Sequence, residues 1–503
     1  MEIEINIQDI FWIIRSQSSL PTYWVAQMDW TIRRNKMSTT LSSVKPVLFS
    51  ERKFYIDNPM SMDEVLSIVR NHTAIKEAYR ILHDYYKGKH IILNRTFDDT
   101  NKPNNKLIHN FPKLIVDNSV AYFMGKPISY TGDESLLDAI QPILDLNDSH
   151  SIDSELAKYC AEFGHGFEVF WYDSETSDLR FKQVSPEHMI MCYSMDIDET
   201  EQCAIYYRPF KDAITQETSY KITVYTSENI YEFVGSLTGN ITPLGEPQEH
   251  YFGRVPVVEY IANEDRQGDF EPVLSLVDAY NVACADSVND INYLNDAYLL
   301  LKNLSTTESD EINEMKNNRV MLVDGDGDAS WLVKNINDLH IENIKKRLVE
   351  DIHKFSMTPN ISDEKFASNL SGVAISYKLN SLESKTSVKE RHFTNAVKKR
   401  ISIICSALSR DGKEYDPTLV YPTFTRNIPQ NLLDLVQTVV QLQGIVPNEE
   451  LLSMLPFIDD VEYALEKLEE EKEKNIDASY GMFELGGTDN VSQGNKQTDN
   501  FNQ

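Results

Sequence analysis

The stretch DLHIENIKKRLVEDIHKFSMTPNISDEKFASNLSG, residues 338–372, changes character twice. Ile341, Ile344, Leu348, Ile352 and Phe355 recur at steps of three and four, the spacing of one face of an α-helix. Lys345, Lys346, Arg347 and Lys354 stand elsewhere on the same helix. Pro359 then stops the pattern, because proline has no amide hydrogen and pushes the preceding residue away from helical backbone. The next segment, Thr358, Pro359 and Asn360 through to Ser371 and Gly372, is polar, with Lys365 its one cation. From Val373 to about Arg410 a longer helical pattern resumes. The predicted order is amphipathic helix, proline-to-glycine loop, long helix.

Upstream, EPVLSLVDAYNVACADSVNDINYLND (residues 271–296) predicts another helix, with Pro272 in the first turn where its missing N–H is harmless. Asp278, Asp286 and Asp290 fall within about 120° of one another on a wheel of about 3.6 residues per turn, which makes one face acidic. Between the two helices stands VMLVDGDGDASWLV, residues 320–333. Asp324, Asp326 and Asp328 fit the first three ligands of a calcium-binding EF-hand loop. Ala329 then occupies the position of the turn glycine and Asn335 that of the bidentate glutamate. A strand-turn-strand reading, with Trp331 in the second strand, is favoured, and a bound hard cation is the minor alternative.

Further upstream the period changes to two. FEVFWYD, LRFKQV, HMIMCYS, CAIYYRPF, SYKITVYT and IYEFVG predict an antiparallel sheet over residues 165–262. His165, between two glycines, reads as a strand-entry residue. Before the sheet, SMDEVLSIVRNHTAIKEAYRILHDYYKG opens with the capping box Ser61-x-x-Glu64, and KLIHNFPKLIVDNSVAYFMG predicts a helix ending at Gly125. After the long helix come a strand, short helices and an acidic run to Lys474. Residues 475–503, rich in Gly, Asn, Gln, Ser and Thr, are expected to be a disordered tail.

Composition narrows the function classes. The 503 residues suggest two to four domains and carry a formal charge of -30, which argues against broad nonspecific nucleic-acid coating while leaving DNA open as a passing cargo. The five cysteines are scattered and odd in number, which predicts reduced, buried thiols. IFWII (residues 10–14) is too short to span a bilayer and follows acidic residues, so the reading is a soluble, non-secreted protein with no membrane partner. Residues 1–36 hold three of the five tryptophans and precede Met37, so they are either an N-terminal extension ahead of an alternative start or an ordinary amphipathic arm. No GxxxxGK[ST], HExxH or GxSxG occurs, so neither a catalytic residue nor a cofactor or metal is expected. The KKR triplets at 345–347 and 398–400 are able to touch phosphate, but a solvated helix face or salt bridges to acidic neighbours is the simpler reading.

Together with this order of elements, the words NFPKLIVDNSVAYFMGKPI, FGRVPVVEYIANEDRQGDFEPVLSLVDAYN, NLSGVAISYKL and FTRNIPQN followed by GIVPNEELLSMLPFIDD resemble the portal proteins (head-tail connectors) of long-tailed bacteriophages of Gram-positive hosts. The resemblance covers about residues 61–474 and implies an α+β portal-type subunit with a β-rich wing, a two-helix stem, a small α/β clip, a long tunnel helix and a helical crown. In this chain the implied parts are an N-terminal arm (1–60), wing (61–270), stem helices (271–296 and 338–357) and clip (297–337). A tunnel loop (358–372), a long helix returning toward wing and crown (373–426) and crown helices (427–474) complete the chain. The implied function is a dodecameric ring at one capsid vertex of the virion, assembled in the host cytoplasm. Double-stranded DNA is packaged and later ejected through its channel. Implied partners are the terminase large subunit and then a head-completion adaptor at the clip, with scaffolding and major capsid proteins around the body. Asp278, Asp286, Asp290, Lys345, Lys346, Arg347 and Lys365 are the candidates to face DNA; Asp324, Asp326, Asp328 and Trp331 are the candidates for docking at the clip. Rival readings are a metal-dependent nuclease or other DNA-packaging enzyme, and a scaffold-like interaction protein without a channel.

Overall fold

The computed structural model describes residues 52–56, 61–97, 103–211, 218–239, 241–294, 298–302, 328–332, 338–360, 372–410, 414–427, 432–455 and 463–471, with 412, 458 and 461 besides. The expectations for residues 1–36, Met37 and the tail lie outside the described residues.

Strand β1 (Phe54–Tyr55) comes first, inside the segment expected to be an arm, and it pairs in parallel with β5. Helix α1 (Met62–Tyr86) starts where Ser61 accepts a hydrogen bond from the Glu64 amide, as its capping sequence predicts. Helix α2 (Phe111–Met124) begins later than the apolar pattern suggested, at the cap made by Asn110. Next come β2 (Ser129–Gly132), α3 (Glu134–Leu146) and α4 (Ser149–Phe163). Gly164 ends α4 in the left-handed region at φ 86°, and a Cβ there would lie 1.8 Å from the Arg266 carbonyl oxygen, so only glycine fits.

The sheet region matches the alternating runs: β3 (His165–Tyr172), β4 (Leu179–Val184), β5 (Met189–Tyr193), β6 (Glu201–Lys211), β7 (Thr218–Tyr225), β8 (Asn229–Gly235), β9 (Ile241–Pro243), β10 (Gln248–Glu249) and β11 (Val257–Ile261). These strands form two sheets, one in the order β1-β5-β6-β7-β8-β10 with β9 also on β8, the other β11-β3-β4. All pairs but β1–β5 are antiparallel. Phe167, Val169 and Val257 of one sheet pack against Met189, Met191 and Ala204 of the other.

Helix α5 (Leu274–Leu294) comes after a single 3-10 turn at Glu271–Val273. Strands β12 (Tyr298–Lys302) and β13 (Asp328–Leu332) pair antiparallel, with Leu299 opposite Trp331 and Lys302 opposite Asp328. Asp324, Asp326 and the VMLV run lie outside the described residues, so the partner seen for SWL is the upstream YLLLK. Helix α6 (Asp338–Phe355) packs beside α5, α7 (Gly372–Ser409) is the long helix, and β14 (Val420–Thr423) pairs with β2. Residues 368–376 and 428 onward form a second compact unit, whose described helices include α8 (Leu432–Leu442) and α9 (Asn448–Ser453). All five cysteines are free and buried. Among the described residues no helix is long and apolar enough to cross a membrane.

Candidate functional site

Four helices converge where the predicted loop begins. Val273, Leu274 and Val277 at the start of α5 share a core with Ile352 of α6, Ile115 and Val116 of α2, and Tyr79 and Leu82 of α1. Ile352 is the fully covered member of the apolar stripe on α6; Ile344 and Phe355 remain 43% and 55% exposed within the single chain. Just before α5, buried Asp269 receives Lys389 of α7 at 2.9 Å, with Lys385 at 3.6 Å. Lys389 also reaches Ser119 of α2. Burial alone would push the Asp269 carboxyl up, but the two ammonium groups outweigh it and hold it below its ordinary value.

The end of α6 is closed by a Schellman motif. Met357 sits at φ 54°, its N–H reaches the Lys354 carbonyl, and the Thr358 N–H reaches the His353 carbonyl. His353 Nδ1 contacts the Thr358 carbonyl at 3.0 Å, and because a carbonyl only accepts, Nδ1 carries the proton. Lys385 donates to the Ser356 carbonyl at 2.9 Å. Thr358 is buried, while Pro359 and Asn360 are half-buried. Lys365 and Ser371 lie outside the described residues, and Gly372 opens α7.

The acidic face of α5 is engaged by its own chain. Tyr85 donates to both carboxylate oxygens of Asp278, at 3.0 and 2.9 Å, and burial pushes that carboxyl up to about 6. Asp286 takes the guanidinium of Arg95. On the same side Asn281 accepts from the His109 amide and Asn289 from the Asn105 amide. Asp290 is half-buried. The wheel thus grouped the three aspartates, but two of them are held by the chain between Tyr85 and Arg95. On α6, Lys345 pairs with Glu342 and Arg347 with Asp351, each at 2.9 Å, whereas Lys346 is exposed.

The second KKR triplet divides. Lys399 pairs with Glu201 near the surface. Arg400 has no exposed side-chain surface; it contacts Glu168 at 2.9 Å and Asp153 at 2.5 Å, and lies over the rings of Phe181 and Tyr260. The sequence carried a signal for this group. Leu382, Lys385, Lys389, Phe393, Val397, Arg400, Ile401 and Ile404 recur at steps of one, three and four, so these cations interrupt an apolar stripe and must be buried with partners.

His165 does open β3 and is buried, with Tyr79 on Nε2 at 2.7 Å and Glu259 on Nδ1 at 2.6 Å. Glu259 is in turn paired with Arg266 at 2.8 Å. Burial would raise the Glu259 carboxyl, but Arg266 and His165 hold it well below the usual carboxylate range. Both ring nitrogens of this imidazole have a structural partner. Among the described residues no cluster of His, Cys, Asp and Glu is arranged to hold a metal ion.

A helix pair joined to a body with two packed β-sheets is the frame within which these side chains are held. The chain belongs to the phage portal protein family of the SPP1 Gp6-like type, which matches residues 66–478. It is 25% identical over 417 residues to the portal protein of Bacillus phage SPP1, covering 79% of this chain and 82% of that protein. It is 26% identical over 454 residues to the portal protein of Clostridium phage phiCD119, covering 84% and 98%. A distant likeness of shape, with TM-score 0.41 and 14% identity, is to a chain in the neck of an empty GTA particle computed with C6 symmetry, covering 68% of this chain and 88% of that one.

Proposed function

We propose that this portal protein acts as one of twelve copies in a ring at a single capsid vertex, and that double-stranded DNA passes through the ring's channel during packaging and ejection. The observation that carries the reading is the family match from residue 66 to residue 478, a span that takes in the β-rich body, the helix pair and the C-terminal helices. In this reading α5 and α6 form the stem, residues 297–337 the clip, residues 358–372 the tunnel loop and residues 427–474 the crown. Terminase large subunit and later a head-completion adaptor dock at the clip, Asp324, Asp326, Asp328 and Trp331 included. Scaffolding and major capsid proteins meet the body while the virion assembles in the host cytoplasm. The protein itself performs no catalysis and takes no cofactor.

Two physical features support this assignment. Ile344 and Phe355 on α6 are apolar and uncovered in one chain, which a neighbouring copy would remedy. The chain's formal charge of -30 suits a conduit, since a wall of like charge keeps DNA from sticking over a screening length of about 8 Å. With Asp278 held by Tyr85 inside the subunit, Asp286, Asp290, Lys345, Lys346, Arg347 and Lys365 are the side chains proposed to meet the DNA, Asp286 being paired with Arg95 yet half exposed. Electron microscopy of the purified chain should show rings with a central hole. Persistent absence of rings across protein concentration and salt would overturn the assignment, as would Mg2+-dependent DNA cleavage by the chain alone.

A further inference from the structure

We propose that Lys385 is a positioning residue for the tunnel loop, tying the Ser356 carbonyl, two residues before the loop, to the long helix α7. The inference rests on the reading of residues 358–372 as the loop that meets DNA. Two ammonium groups, that of Lys389 buried and that of Lys385 partly buried, face the single carboxylate of Asp269, and one would neutralise it. Lys389 takes that role: it bonds both oxygens of Asp269, at 2.9 and 3.2 Å, and Ser119 as well. Lys385 stands farther off, at 3.6 Å, and gives its hydrogen bond to the Ser356 carbonyl at 2.9 Å.

Ser356 follows directly on Phe355, the last residue of α6, and caps the helix. The last four carbonyls of a helix lack partners within it and carry the negative end of its dipole, so a cation is well placed there. One lysine would suffice to neutralise Asp269; the second adds to the hold on that carboxylate but is repelled by the first. Its place is accounted for by the helix end it holds. Beyond that point the Thr358 amide and carbonyl are both bonded back to His353, and Thr358 itself is buried. The chain is therefore fixed through Thr358, and its change of direction begins at Pro359. Lys389 serves the fold, and Lys385 sets where the loop departs.

Hydrogen exchange on the full-length assembled protein separates these roles. Lys385→Met should speed exchange in residues 353–360 by about tenfold or more, the loss expected for a charge-assisted hydrogen bond, while leaving the β-sheets unchanged. Lys389→Met should loosen the region around Asp269 and Ser119 and leave residues 353–360 no more exposed than the rest of the chain. Should the methionine variant fail to fold, Lys385→Gln, one bond too short to reach Ser356 but still polar, is expected to give the same local opening. Wild-type exchange at 353–360 without Lys385, or equal opening in both lysine variants, would overturn the proposal. Photocrosslinking from position 365 to packaged DNA tests the loop reading separately. Its failure would remove the loop's contact with DNA but not the exchange difference.

Discussion

Arg400 and Glu168 meet through two contacts, Nε to Oε2 at 3.0 Å and Nη2 to Oε1 at 2.9 Å, with no exposed side-chain surface on either residue. Asp153 shares the same guanidinium. Removing one member of such a group leaves buried charge without its partner, a loss of about 3–5 kcal/mol in comparable cases. Arg400→Met is expected to lower the denaturant midpoint accordingly. Arg400→Lys should rescue little, since an ammonium cannot serve two carboxylates in the fork geometry of arginine. A loss below about 1 kcal/mol for the methionine variant would show that the network contributes specificity and not stability.

Asp278 should make the chain less stable as pH rises. Burial lifts its carboxyl to about 6, above the ordinary value near 3.8, so the folded state holds the proton more tightly than the unfolded state does. The resulting stabilisation is fully present below pH 4 and is lost as pH rises through about 6. Asp278→Asn, which still accepts from Tyr85, should flatten this slope and raise stability at pH 7 by about 1–2 kcal/mol after allowing for partial exposure. Unfolding midpoints at pH 4, 5, 6 and 7 for both chains check the prediction; parallel curves would contradict it.

Met357 closes α6 with a left-handed backbone that L side chains adopt at a cost of about 1–2 kcal/mol. Its side chain is 42% exposed, so little packing is at stake. Met357→Gly is expected to be neutral or to stabilise by up to about 1 kcal/mol, the relief being partly offset by added freedom in the unfolded chain. A β-branched replacement, Met357→Val, should destabilise by more than about 1 kcal/mol. Thermal unfolding of the two variants should order them glycine, wild type, valine.

Charge reversal on α6 tests the proposed DNA-facing cations without disturbing the core. Lys346 is exposed and Arg347 pairs with its neighbour Asp351 one turn on. Lys346→Glu with Arg347→Glu should leave ring formation intact and reduce the amount of DNA retained in filled heads, most visibly at low salt where screening is weakest. Unchanged retention at all salt concentrations would place these side chains away from the channel.

Several features were legible in the sequence because they are local. The steps of three and four in residues 341–355, the Ser61 cap and the six alternating runs after Gly164 each report a backbone preference that tertiary structure left in place. Strand β1 was not legible, since two residues carry no period and a parallel edge pairing leaves no turn to mark it. The aspartates of α5 show the limit of a helical wheel: it gives a direction around the axis, not what lies there. Tyr85 and Arg95, which occupy that direction, are 193 and 191 residues distant from their partners. Arg400 was hidden in the same way, inside a basic triplet read as a solvated face and with partners 232 and 247 residues away.

The long helix α7 is fastened to its surroundings at successive levels: at Lys385 and Lys389 by Asp269, at Glu383 and Glu390 by Arg426, and at Arg400 by Glu168 and Asp153. From Glu383 to Arg400 these fastenings span about 25 Å of axis at about 1.5 Å per residue. A rod riveted over that length transmits a push without bowing. Ties at several levels resist bowing of this helix, so a displacement at Lys385 is expected to be felt at Arg400.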